Sequence, residues 1–369
     1  MNKQSETRAA THTATNNETR STKTIAITGV EKFSFHGKGG EFFRIWIVNL
    51  VLTVLTFGIY SAWATVRNRR YLYSHTELAG DRFSYLAEPK NILWGRIVGI
   101  SLFAMFSLLQ YFAPMASLFA LAVLLLAIPW LVVRSLRFNA VMSAWRGVRF
   151  GFTGDIQGAV WAYLAAPILG LLTLGIGYPW ALAEQNRFVF NHHRFGQTYA
   201  ATSASNRGFY RIFMLMALIF ILGFFLYMLI VPFVAGAAGM AEDSEQGAQL
   251  SLGLILMVGL NLLFYLGLYS AFQALKFGLV YDNLAVGSNQ IRTSVNLGGW
   301  LRVALVNAVL TLLTLGFFHP YAKVRMLNYI FSNLRVEVDD LDGFIANQSR
   351  DASAVGDEVG DAFDLGIGI

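Results

Sequence analysis

Apolar residues run along this chain in blocks, and basic residues follow several of them with no polar linker between. Such blocks begin near Phe42, Leu93, Met115, Gly158, Phe209, Ser251 and Trp300. A complete bilayer crossing needs about 20 predominantly apolar residues. The stretches 93–112, 115–134, 209–235 and 250–275 reach that length and predict four spanning helices. The stretches 42–60, 158–180 and 300–321 are instead interrupted by one recurring phrase: LTFGIYSAWA from Leu55, LTLGIGYPWA from Leu172 and LTLGFFHPYA from Leu313. Gly58, Gly175 and Gly316 align, and Pro179 and Pro320 stand four residues after the glycine in the second and third copies, where the first has Ala62. Glycine before and proline after predicts that one helix stops and another starts.

The copies extend outward. Phe33-x-Phe35-x-Gly37 recurs as Phe150-x-Phe152-x-Gly154, and alternating aromatics ahead of a glycine predict a short strand. GDRFSY (80–85), FGQTYA (195–200) and LRVEV (334–338) predict partner strands. The fold expected from this pattern is an all-α polytopic membrane protein. It would have three pseudo-repeats, each with a Gly/Pro-broken, re-entrant helix, linked by transmembrane helix hairpins and carrying short cytoplasmic β-hairpins. Residues 1–30 read as a disordered cytoplasmic tail, 31–336 as the membrane domain and 337–369 as an acidic C-terminal tail. Within the domain, repeat cores at 33–85, 150–200 and 297–338 alternate with helix hairpins at 93–134 and 209–275, which suggests a pseudo-threefold arrangement.

Composition agrees with a membrane setting. Of 369 residues, 55% are hydrophobic and 14% charged, against about 25% charged in ordinary soluble domains. Lysine and arginine then set orientation. The links 110–114 and 235–249 hold neither residue, so they are assigned to the periplasm. The basic clusters at 67–70, 134–149, 187–211 and 323–335 are assigned to the cytoplasm, together with both termini. Each broken helix then has to enter the membrane and return. The alternative is a single crossing per copy, with the second copy inverted as in transporter repeats. The net charge of +6 reports on loop orientation, and nucleic acid is not an expected partner. The chain has no cysteine, which excludes disulfides, thiolate metal sites and a cysteine nucleophile.

Few polar positions stand out against this background. Arg67, Glu184 and Arg325 lie nine residues past each glycine. Were the copies to meet on an axis, one carboxylate would fall between two guanidiniums, as a substrate or ion site or as a structural lock. Arg44 and Arg302 follow glycines at helix starts, where they can hold an anion or lipid phosphate or simply snorkel to the interface. Asn49 and Asn307 lie deeper in apolar runs, suited to bonds between helices or to a polar path. His192, His193 and His319 have no metal-ligand spacing, and no nucleophile elbow, phosphate loop or dinucleotide fingerprint occurs, so neither cofactor nor enzyme activity is expected.

GGEFFRIWIVNLVLTVLTFGIYSAWATVRNRRY, with the later LGIGYPWA and the closing GDEVGDAFDLGIGI, resembles the YjgN family of bacterial inner-membrane proteins. The likeness runs from about Phe33 to the C-terminus. It implies a Gram-negative inner-membrane location, and no activity, since that family is of uncharacterised function. Two readings follow. One is a transporter or channel for a small anionic solute, motivated by broken helices beside arginines. The other is a non-transporting scaffold or lipid-binding envelope protein, motivated by the basic face. Membrane lipids, anionic ones in particular, are the expected partners.

Overall fold

The computed structural model describes residues 29–239 and 246–338, with side chains described outside 233–256. The N-terminal tail through residue 28, the acidic stretch 240–245 of the second link and the acidic tail beyond Val338 lie outside the described residues.

The base of the molecule is a β-sheet. Its strands are β1 (Gly29–Phe35), β2 (Thr76–Leu78), β3 (Asp81–Tyr85), β4 (Ser143–Trp145), β5 (Val148–Phe152), β6 (His193–Phe195), β7 (Thr198–Thr202), β8 (Leu284–Val286), β9 (Asn289–Thr293) and β10 (Leu334–Val338). Each pairs antiparallel with its sequence neighbours, and β10 returns to β1 with Gly29 opposite Val338, so the ten strands form a closed barrel. This finding overturns the all-α expectation. The short strands foreseen as separate hairpins are staves of one barrel, which leaves no open edge.

A helical hairpin is inserted at every second connection. The first arm is α1 (Gly39–Leu55) and α2 (Ser61–Ser74), between β1 and β2. The second is α3 (Pro89–Phe112) and α4 (Pro114–Val141), between β3 and β4. The third is α5 (Ile156–Leu172) and α6 (Tyr178–Asn191), between β5 and β6. The fourth is α7 (Asn206–Gly239) and α8 (Gln246–Tyr281), between β7 and β8, and the fifth is α9 (Leu297–Leu313) and α10 (His319–Ser332), between β9 and β10. Neighbouring strands run in opposite directions, so every arm leaves from one rim of the barrel and returns to that rim. The broken helices are therefore hairpins rather than single crossings, and the arrangement has five arms where three units were expected. At the opposite rim the strands join through two-residue turns. Ala79-Gly80 and Arg146-Gly147 take positive φ at both residues, as type I′ turns require, while Gly196 and Gly287 open the other two with positive φ.

The arms alternate short, long, short, long, short. At 1.5 Å per residue, the 17 residues of α1 reach about 25 Å, less than the roughly 30 Å hydrocarbon thickness. The 24 and 28 residues of α3 and α4 reach about 36 and 42 Å. Among the described residues four helices, all in the long arms, are long and apolar enough to cross a membrane. Adjacent arms touch around the ring: α2 with α3, α4 with α5, α6 with α7, α8 with α9, and α10 with α1.

Aromatic side chains fill the barrel. Phe33, Phe83, Trp145, Phe150 and Phe195 pack with Leu78 and Val148 inside it, with ring centroids 5.1 Å apart for Phe150–Phe195 and 5.9 Å for Phe83–Trp145. Two residues on, the same face of each strand meets the roots of the arms: Phe35 packs on Phe42 and Val324, Tyr85 on Val66, and Phe152 on Phe188. The glycines of the Phe-x-Phe-x-Gly phrases make room for the second ring, since a Cβ on Gly37 or Gly154 would stand 2.5 Å from Phe35 or Phe152. The outward face is charged. Glu77 lies opposite Arg82 across β2 and β3, and Arg292 of β9 pairs with Glu337 of β10 at 3.1 Å.

Candidate functional site

The recurring phrase builds the tips of the three short arms. Thr56, Thr173 and Thr314 end the outgoing helices. Each hydroxyl donates back into its own helix, to Leu52 O, Gly170 O and Leu310 O at 2.7–2.8 Å. Each also accepts from the N–H at the start of the returning helix: Tyr60 N at 2.9 Å, Gly177 N at 2.7 Å and Phe318 N at 2.9 Å. One hydroxyl thus links both helix ends: it supplies an acceptor for the N–H of the returning end, while the carbonyl it donates to also accepts a backbone N–H, from Thr56, Gly175 and Thr314 respectively. The reversal needs two successive left-handed residues. Gly58, Gly175 and Gly316 take φ near 90°, each after a left-handed Phe57, Leu174 or Leu315. Those preceding side chains point away from the protein, 98%, 94% and 89% exposed. The most exposed side chains of the tips are thus apolar, while Thr173, Thr314 and His319 are exposed beside them. Pro179 and Pro320 stand in the first turn of α6 and α10, where no intrahelical N–H is missed. Ser61 opens α2 in the first arm.

Below the tips, polar residues hook the arms together. Asn49 of α1 is buried and donates to Asn68 Oδ1 of α2 at 2.9 Å, and Asn307 of α9 is buried and donates to Ala322 O of α10 at 3.0 Å. At the barrel end the arginine-rich returning helices staple neighbouring arms. Arg69 donates to Tyr85 Oη at 2.8 Å and to Asn139 of α4; Arg70 donates to Ala87 O at 3.0 Å; Arg137 reaches Gly154 O. Arg96 of α3 donates to Ser61 and Thr65 of α2. Sequence reasoning did not single out Arg96. Its signal was a lone cation inside the apolar run from Leu93.

The column Arg67, Glu184 and Arg325 is not brought together. Glu184 pairs with Arg187 of its own helix at 2.5 Å, and Arg187 continues to Asn206 of the fourth arm. The first and fifth arms adjoin each other across the β1–β10 seam, but the third adjoins neither, because the long arms stand between. Arg67 and Arg325 are exposed, as are Arg44 and Arg302, each the sixth residue of its helix. Among the described residues none of these four has a hydrogen bond or ion pair. Arg67 and Arg70 line a cleft of about 270 Å³ with Tyr60, Trp63, Val66 and Pro89, the last being the first residue of α3. Two guanidiniums beside a helix start and an aromatic pair (Tyr60 and Trp63 stack at 6.2 Å) suit a phosphate group at a membrane interface.

The histidines serve the scaffold. His192 and His193 Nδ1 meet Phe188 O and Val189 O at 2.8 and 2.6 Å, closing the end of α6. Burial lowers the pKa of His193 below its usual value, with the His192 charge adding and the Val189 bond opposing. Among the described residues no group of His, Asp and Glu could hold a metal ion.

Comparison with known proteins follows the same lines. A family described as a bacterial protein of unknown function (DUF898) matches residues 30–362. The chain belongs to that family. Its relatives include proteins named inner membrane protein YjgN. One from Salmonella typhimurium is 26% identical over 350 residues, covering 83% of this chain and 88% of the relative. One from Escherichia coli O157:H7 is 34% identical over 146 residues, covering 39% of this chain and 36% of the relative. The match to the Escherichia coli proteins thus spans little more than a third of their length. No solved structure matches the chain. The family, its inner-membrane relatives and the four long apolar helices together make this a multi-pass protein of the bacterial inner membrane.

Proposed function

We propose that the protein is a non-transporting membrane scaffold that holds anionic phospholipid at the roots of its short arms. The cleft of Arg67 and Arg70 beside the start of α3 carries this reading. Each basic residue near an anionic leaflet contributes roughly 1 kcal/mol, and among the described residues Arg67 has no hydrogen-bond or ion-pair partner. The solute-carrier reading has less support. The barrel interior beneath the arms is packed with rings rather than lined by polar groups, and Glu184 is already paired within its own helix. The barrel and both termini are assigned to the cytoplasm because the basic clusters gather at the rim that bears the arms. The shared Thr–Gly turn chemistry supports reading the short arms as copies of one ancestral unit.

Lipid retained through purification tests this. Arg67→Gln should lower retained anionic phospholipid severalfold and leave zwitterionic lipid unchanged. Equal retention would refute the reading, as would phosphate or chloride uptake into vesicles that disappears in Glu184→Gln. For orientation, a membrane-impermeant thiol reagent on intact cells should label Ala113→Cys but neither Ser74→Cys nor Ser203→Cys.

A further inference from the structure

A second cleft lies between the fourth and fifth arms and does not depend on the headgroup reading. It has a volume of about 250 Å³ and is lined by α8, α9 and α10. Its walls are mostly apolar, with Leu266, Trp300 and Met326 among them; Ser270 and Asn307 also line it, as do Tyr269 and Gln273, which bond to each other at 2.7 Å. Ser270 and Asn307 are 8% and 7% exposed. Ser270 Oγ and Asn307 Oδ1 are buried, and among the described residues neither finds a hydrogen-bond partner. The Asn307 amide cannot turn to relieve this. Its nitrogen donates to Ala322 O, and a carbonyl accepts only, so the oxygen must be the free end.

Depth narrows the occupant. Asn307 is the eleventh residue of α9, and Ser270 stands eleven residues before the end of α8. At 1.5 Å per residue both lie about 15–17 Å from the ends of their helices at the barrel rim, within the apolar length of the arms. No charged residue is among those lining the cleft, so nothing there offsets the charge of a headgroup. A buried amide oxygen asks for a donor, and a serine hydroxyl can donate or accept. We infer that this cleft binds a neutral lipid with a free hydroxyl, which donates to Asn307 Oδ1 and accepts from Ser270 Oγ while its chain lies along Leu266, Trp300 and Met326. A long-chain alcohol and a diacylglycerol share this chemistry.

Photo-crosslinking in reconstituted vesicles separates the outcomes. Diazirine-bearing octadecanol and diazirine-bearing diacylglycerol would be irradiated in turn with the full-length protein, and the labelled peptides mapped by mass spectrometry. Labelling of the α8, α9 and α10 segments is expected to exceed that of lipid-facing α3 about tenfold. Unlabelled octadecanol should compete, whereas its methyl ether, which cannot donate, should not. Whichever probe labels more strongly identifies the source of the hydroxyl. Ser270→Ala should cut the labelling severalfold. Ser270 makes no bond to the protein, so this variant keeps the fold even if Asn307→Leu does not. Uniform labelling of all lipid-facing helices would overturn the proposal and leave water as the partner of the two atoms. So would equal competition by the ether, or unchanged labelling in Ser270→Ala.

Discussion

The long arm of α3 and α4 turns back with little polar chemistry, whereas every short arm reverses around a threonine hydroxyl and a left-handed glycine. Between α3 and α4 the chain reverses at Ala113, with Pro114 opening the second helix. The serines there bond within their own helices, Ser107 to Phe103 O and Ser117 to Pro114 O. In the short arms hydroxyls and amides cross from one helix to the other. Length accounts for the difference. A long arm reaches beyond the hydrocarbon, so water can satisfy the backbone at its turn. A short arm turns inside it, and its own side chains must do so. Re-entrant structure is thus a matter of local hydrogen bonding, and it can be tested residue by residue.

The sharpest contrast is Gly316→Val against Gly99→Val. The first forces a β-branched residue to φ of +93° and should cost about 2–3 kcal/mol. The second adds a side chain in open space on α3 and should stay within about 0.5 kcal/mol. Unfolding by titration with a denaturing detergent reads both, and equal losses would break the comparison. Next comes the tether between kinds of arm. Arg96→Leu removes two bonds from α3 to α2 and should cost about 2 kcal/mol, while Arg302→Leu, which lacks a protein partner among the described residues, should cost little. Thr56→Val should lose about 1 kcal/mol, as a removed helix cap does, and Ser107→Ala almost nothing. Asn49→Leu should also cost about 1 kcal/mol because it strands Asn68 Oδ1. Adding Asn68→Leu should recover part of that, in a double-mutant cycle with a measurable coupling.

The smallest effect is one of pH. His193 begins β6, where the short third arm re-enters the barrel, and its folded pKa is lowered by burial. The folded state therefore favours neutral imidazole. Stability should be full above the ordinary histidine value of 6.5 and decline as pH falls from there toward the lowered folded value. His193→Gln should flatten that slope, as melting temperatures measured across this range would show.

Much of the membrane portion was legible in the chain. Four apolar runs coincide with helices long enough to cross a membrane, the chain takes positive φ at Gly58, Gly175 and Gly316, and Asn49 and Asn307 bond between the helices of their arms. The barrel was not legible, because its strands are three to seven residues long and alternation over three residues is no signal. Ser143–Trp145 and Leu284–Val286 went unread for that reason, and with them the fact that the long arms are mounted like the short ones. The Arg67–Glu184–Arg325 column failed for a related cause. Alignment places residues at equal heights, but which arms adjoin depends on a barrel order the apolar pattern does not encode. Ser270 carried no signal, being one hydroxyl in an apolar helix. Its meaning comes from the cleft it shares with Asn307.

The seam between β1 and β10 bears on biogenesis. Every other pair of neighbouring strands is joined by a turn or an arm, so it can form as the chain leaves the ribosome. The seam joins strands more than three hundred residues apart, Gly29 against Val338. Until the last strand is made, β1 keeps one unpaired edge while the arms are made one after another. Closure is therefore a final, single event, and a chain cut short before Leu334 would carry two raw edges for its whole life. Such a chain is a ready substrate for quality-control proteases or for pairing with its own kind.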